Sequence, residues 1–73
     1  MYSSMNQSIN NGDMSQFVTD LQNAIDSEYN AIQCYEKMAK QASNKKEMEQ
    51  ILEIREDEMK HYEQFSQIFT AIT

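Results

Sequence analysis

The sequence contains no proline and no tryptophan, and it has one glycine, one cysteine and one histidine in 73 residues. Because proline and glycine interrupt helices, their near absence favours long helices in an all-α fold. The lone Cys34 has no intrachain disulfide partner, so we expect a reduced thiol in a cytoplasmic protein. A short chain without disulfides buries little surface, and we therefore expect oligomerisation or a bound ion to supply stability.

Positive charge is also scarce. Six Lys and Arg residues face twelve Asp and Glu residues, which gives a net charge of -6. That charge repels nucleic acid phosphates and anionic lipids but is compatible with cations. No apolar run approaches the roughly 18 residues that a membrane span needs, and the polar N-terminal stretch lacks the order of a signal peptide. We therefore expect neither nucleic acid nor a membrane as a partner.

Apolar residues recur every three or four positions along two stretches of the chain, which is the spacing of amphipathic helices. We predict helix 1 over about residues 14–42 and helix 2 over about residues 45–72. A turn of a few residues makes them antiparallel neighbours. Residues 1–12 are polar and aperiodic, so they are predicted to be a flexible arm, and residues 13–73 a helical hairpin.

Both predicted helix starts carry residues suited to capping. Asp13 can accept hydrogen bonds from the first amides of helix 1, with Gln16 at the capping-box position. Asn44 and Glu47 form the same pattern before helix 2. The break between the helices is therefore predicted to lie near Asn44.

Three ionisable side chains interrupt the apolar stripes. Glu28 is the exception in a seven-residue column of helix 1, and Glu58 and His61, a Glu-x-x-His motif, are the exceptions in helix 2. The three columns are Met14, Leu21, Glu28, Tyr35, Ala42; Ile51, Glu58, Phe65, Ile72; and Ile54, His61, Ile68. A carboxylate removed from water is destabilising unless it is paired or binds a cation. These three residues are therefore candidate metal ligands.

The candidate ligands lie at one height in the predicted hairpin. With the turn centred at about residue 43.5, Glu28 and the pair Glu58 and His61 are equidistant from it to within about 1 Å at the helical rise. One hairpin supplies three ligands and leaves its apolar stripes uncovered, so we predict a homodimer. A two-fold symmetric four-helix bundle would collect four carboxylates and two imidazoles around two divalent ions.

The spacing of Glu28, Tyr35 and the motif from Glu58 to His61 resembles one half of a ferritin-like di-iron carboxylate protein. In that superfamily, one helix of each pair provides a Glu and the other a Glu-x-x-His. The resemblance covers nearly all of residues 14–73. Two kinds of relative fit: a half-sized ferritin similar to the encapsulated ferritins, or the N-terminal half of a rubrerythrin or ferritin-like domain.

The resemblance implies a role for each residue. Glu28 would be a terminal carboxylate ligand, Glu58 the carboxylate that bridges two metals, and His61 a terminal imidazole ligand. Tyr35 would stand beside the ligands as a hydrogen-bond donor or electron source. The partner's Asp57 would accept a hydrogen bond from the free ring nitrogen of His61 and fix its orientation.

Oxygen ligands combined with imidazole suit Fe(II) or Mn(II), and Zn(II) can occupy the same set. The resemblance implies a di-iron site shared between two chains, which oxidises Fe(II) with dioxygen or peroxide as a ferroxidase or other oxidoreductase. The competing hypothesis is a non-enzymatic helical hairpin that serves as a dimerisation or adaptor module. Such a module would tolerate leucine at Glu28, Glu58 and His61.

Overall fold

The computed structural model describes residues 14–73, which form two α-helices. Helix α1 is Met14–Gln41 and helix α2 is Lys45–Ile72, each 28 residues long. No strand occurs within this part of the chain. The prediction of an all-α, two-helix fold is therefore confirmed. The predicted arm over residues 1–12 and the predicted cap at Asp13 lie outside the described residues.

Helix α1 ends one residue earlier than the sequence predicts. The backbone N–H of Ala42 donates to the carbonyl of Ala39 at 3.4 Å. This bond reaches back three residues instead of four, so it tightens the final turn and ends the α-helix at Gln41.

The start of α2 has the predicted cap, with one difference. The Asn44 side chain accepts from the N–H of Glu47 at 2.8 Å, and its extended backbone leads into the helix. The Glu47 carboxylate, however, accepts from Ser43, at 2.8 Å from the hydroxyl and 3.2 Å from the N–H. These hydrogen bonds from Ser43 lower the pKa of Glu47. The cap therefore fixes both residues of the turn.

The two helices pack side by side and run antiparallel. Contacts between them join Glu36 to Arg55, Tyr29 to Tyr62, and Glu28 to His61. From Glu36 back to Tyr29 along α1, the contacts advance from Arg55 to Tyr62 along α2, which is the order that a short turn imposes. Neither described helix is apolar enough to cross a membrane.

The two helices share one interface, which we call the seam, and it buries few side chains. Among residues 14–73, Leu21 and Ala39 are the buried apolar side chains, and no side chain is fully buried. The large apolar side chains left exposed are Met14, Phe17, Tyr29, Met38, Ile54, Met59, Ile68 and Ile72. The hairpin therefore lacks the core that a stable domain of this size needs.

Four of these eight exposed side chains lie in two columns on one side of the hairpin, which we call the open face. The helical period places one column of each helix along it, next to Glu28 and Glu58 in the seam. The open face consists of Phe17, Ala24, Ala31 and Met38 on α1, and of Ile54, His61 and Ile68 on α2.

Candidate metal centre

Glu28, Glu58 and His61 come together at the middle of the hairpin. One potential ligand atom from each residue lies within 4.8 Å of the others. Glu28 lies at the centre of α1, whereas Glu58 and His61 lie one turn apart on the same side of α2. Because the short turn fixes the pairing of the helices, the turn also sets this meeting point. All three predicted ligand positions therefore meet at one place.

The nitrogen of His61 that faces the carboxylates is Nδ1. It lies 3.0 Å from Oε1 of Glu58, which is hydrogen-bonding distance, and 3.7 Å from Oε2 of Glu28. In the tautomer with its proton on Nδ1, His61 donates a hydrogen bond to Glu58, whereas Glu28 lies beyond hydrogen-bonding distance. The other ring nitrogen, Nε2, is left for a different partner.

Burial differs among the three side chains. Glu28 and Glu58 are 19% and 22% exposed, whereas His61 is 52% exposed at the edge of the open face. Burial raises the pKa of Glu28, and a hydrogen bond and charge repulsion from Glu58 raise it further, while His61 opposes the shift. The nearby Glu58 carboxylate therefore disfavours the charged form of Glu28.

The donor set fits a divalent metal ion. Two carboxylates and a neutral imidazole are ligands that Fe(II), Mn(II) and Zn(II) accept. Three side chains do not complete the coordination of such an ion, and His61 faces the uncovered side of the hairpin. Further ligands would therefore come from across the open face.

Other residues singled out by the sequence lie near this cluster without joining it. Tyr35 is half-buried two helical turns beyond Glu28, and among residues 14–73 its hydroxyl has no hydrogen-bond partner. Asp57 is exposed beside Glu58, and its contact with the partner's His61 stays a prediction. Cys34 is exposed, with its sulfur 4.0 Å from that of Met38.

Tyr29 and Tyr62 form a ring contact that the sequence reasoning missed. Their ring centroids are 6.1 Å apart, and the planes are tilted by 41°. Each tyrosine follows a candidate ligand by one residue, Glu28 in α1 and His61 in α2. The sequence could have indicated this contact, because both tyrosines directly follow candidate ligands. When two ligands meet across two helices, the residues next to them also come close together. The contact braces the hairpin at the height of the cluster.

No protein-family model and no solved structure matches the chain. It is similar to a Bacillus subtilis (strain 168) protein described as "Uncharacterized protein YhjR", with 45% identity over 56 residues. The matched region covers 77% of this chain and 39% of that relative, which is therefore about twice as long as this chain. The relative's description names no activity, so the geometry of the cluster has to carry the functional argument.

Proposed function

We propose that two copies of this chain form a ferritin-like four-helix bundle around a shared di-metal carboxylate site. We infer that iron is the metal, and that the protein binds Fe(II) and oxidises it with dioxygen or peroxide. The observation that carries this proposal is the convergence of Glu28, Glu58 and His61 within 4.8 Å at the middle of the hairpin.

The charges of the cluster support a dication. Within residues 14–73, the only basic side chain within 4 Å of the Glu28 and Glu58 carboxylates is His61, which is charged only when protonated. Two half-buried carboxylates beside one imidazole form a destabilising group, and a second copy would double it. Two divalent ions would balance four carboxylates, so metal binding and dimerisation would reinforce each other.

The uncovered surface supports a second copy as the source of the missing ligands. The open face is apolar apart from His61, and the described helices bury few side chains. A two-fold axis through this face would bring a second set of Glu28, Glu58 and His61 to the first. The Bacillus subtilis relative is long enough to hold two such hairpins in one chain, which is consistent with a bundle made here from two.

Protons and the metal would compete for these ligands. Nδ1 of His61 coordinates a metal only without a proton, and the raised pKa of Glu28 makes a proton a stronger competitor for its carboxylate. Bound iron would supply the electrons that reduce the oxidant. Glu58 would serve as the bridging carboxylate that the resemblance implies, and the partner's Asp57 would orient the His61 ring through Nε2.

An anaerobic Fe(II) titration of metal-free protein, followed by dioxygen or peroxide, tests this proposal. We expect saturation near one iron per chain and then an increase in Fe(III) absorbance. Glu58→Ala should lose both signals. Glu53→Ala, which removes an exposed carboxylate from the same helix, should retain them.

The adaptor hypothesis makes the opposite predictions. Replacing Glu28, Glu58 and His61 together with leucine would keep or improve stability and leave partner binding unchanged, because no metal is lost. Two results together would refute the metal proposal: the wild-type protein shows no saturable Fe(II) binding, and its melting temperature does not change when Fe(II) or Mn(II) is added.

A further inference from the structure

The α1 part of the open face is symmetric in side-chain size about the centre of the helix. Its column has a large residue at each end and a small one on each side of the middle. Phe17 and Met38 are each 42% exposed, and Ala24 and Ala31 lie between them. The centre of this column falls between Ser27 and Glu28, which is also the centre of α1.

The α2 part of the open face has the same symmetry. Ile54 and Ile68, both exposed, lie seven residues on either side of His61. The contact between Glu28 and His61 places this second centre at the height of the first. One line across the hairpin therefore passes through the centres of both columns and through the ligand cluster.

A column that reads the same in both directions fits an antiparallel copy of itself. We propose that the two-fold axis of the dimer follows this line, perpendicular to the helices. Helix α1 then packs against the partner's α1 and α2 against the partner's α2, each pair antiparallel. This inference rests on the proposed dimer and specifies which surfaces meet and in what register.

The side-chain sizes suit this register. Ala24 faces the partner's Ala31, and Ala31 faces the partner's Ala24, so the two α1 helices approach closely beside the ligands. Phe17 covers the partner's Met38 at each end and shields the interface from water. At the axis, Glu28 and His61 lie near their own symmetry copies, which gathers the ligands into one group.

The other two-fold arrangement has its axis parallel to the helices. That arrangement packs α1 against the partner's α2 and puts both turns at the same end of the bundle. It places the four-residue column of α1 against the three-residue column of the partner's α2. The symmetry of side-chain size within each column then does not produce matching contacts. The perpendicular axis is therefore the one that the open face favours.

Disulfide cross-linking tests the register in a Cys34→Ser background. Ser27 lies next to the proposed axis, so Ser27→Cys should form a disulfide with its own copy within the roughly 7 Å limit between Cα atoms. The wild-type Cys34 is a matched control on the same column, because its two copies would lie about 20 Å apart along the bundle. We expect an oxidised Ser27→Cys dimer and no Cys34 dimer under the same conditions.

A mixture of Ser27→Cys and Gln64→Cys chains tests the other axis. Disulfides between these two variants, without disulfides between two Ser27→Cys chains, would place α1 against the partner's α2. That result would overturn the proposed register.

Spin labels provide a measurement that does not depend on disulfide geometry. Labels on Lys45→Cys, at the exposed turn, should be about 50 Å apart if the turns lie at opposite ends of the bundle. A separation under about 30 Å would place the turns together and overturn the register. A dimer that binds Fe(II) but gives the short distance would contradict the register alone, whereas a chain that stays monomeric would contradict both proposals.

Discussion

Oε2 of Glu28 lies 3.7 Å from Nδ1 of His61, although the two residues belong to different helices. Glu58, one turn before His61 on α2, lies closer to the same nitrogen, at 3.0 Å. The contact across the seam therefore depends on the turn, which sets the pairing of α1 with α2. A change that shifts this pairing would separate Glu28 from the other two ligands.

The raised pKa of Glu28 predicts how metal-free stability depends on pH. The folded protein holds the Glu28 proton more tightly than the unfolded chain does. This group therefore contributes stability that is fully present below its ordinary pKa of 4.5 and is lost as pH rises through the raised folded pKa. In a chelator, Glu28→Gln should match wild type near pH 4 and exceed it at neutral pH.

Urea denaturation at several pH values measures this difference. The control is Glu53→Gln, an exposed residue that carries the same charge change and should follow the wild-type profile. Parallel profiles for wild type and Glu28→Gln would show that the carboxylate is not destabilised by its neighbours.

Phe17 tests whether the open face is an interface. Phe17→Ala removes a side chain that is largely uncovered within one hairpin, so its main effect should be on the dimer. We expect the dimer dissociation constant to rise by about tenfold or more. Sedimentation over a concentration series measures it.

Met59→Ala is the matched control for Phe17→Ala. Met59 is exposed to nearly the same extent but projects from the other side of α2. Its replacement should leave dimerisation unchanged. Equal weakening by both substitutions would mean that the open face is not the specific interface.

Asn44 tests the contribution of the turn. Asn44→Ala removes the acceptor for the N–H of Glu47 and should lower the free energy of unfolding by about 1 kcal/mol. Asn30→Ala, in the middle of α1, should be neutral or slightly stabilising, since alanine is the better helix former there. A loss at Asn30 as large as that at Asn44 would rule out a capping effect.

The helices and their pairing could be predicted from the sequence because both depend on local rules. The three- and four-residue spacing of apolar positions predicts two helices, and the absence of proline removes an interruption. The cap at Asn44 was also visible in the sequence. The bond from Ala42 to Ala39 could not be predicted, because the last turn of a helix is often adjusted by its surroundings.

The meeting of Glu28 with Glu58 and His61 could be predicted because, across a short turn, the number of residues from the turn gives each residue's position along the helix axis. The rotation of each helix about its own axis is harder to predict from the sequence. The contact of Tyr29 with Tyr62 depends on that rotation. The same rotation brings Arg55 to Glu36, with which it forms an ion pair.

The most direct test of the shared site is native mass spectrometry of protein loaded with Fe(II) or Mn(II) without oxygen. We expect dimers that carry two metal ions and monomers that carry none, because one hairpin supplies too few ligands. Glu58→Ala should remove the metal from the dimers. Monomers that each hold a metal ion, or wild-type dimers that bind none, would contradict a site shared between two chains.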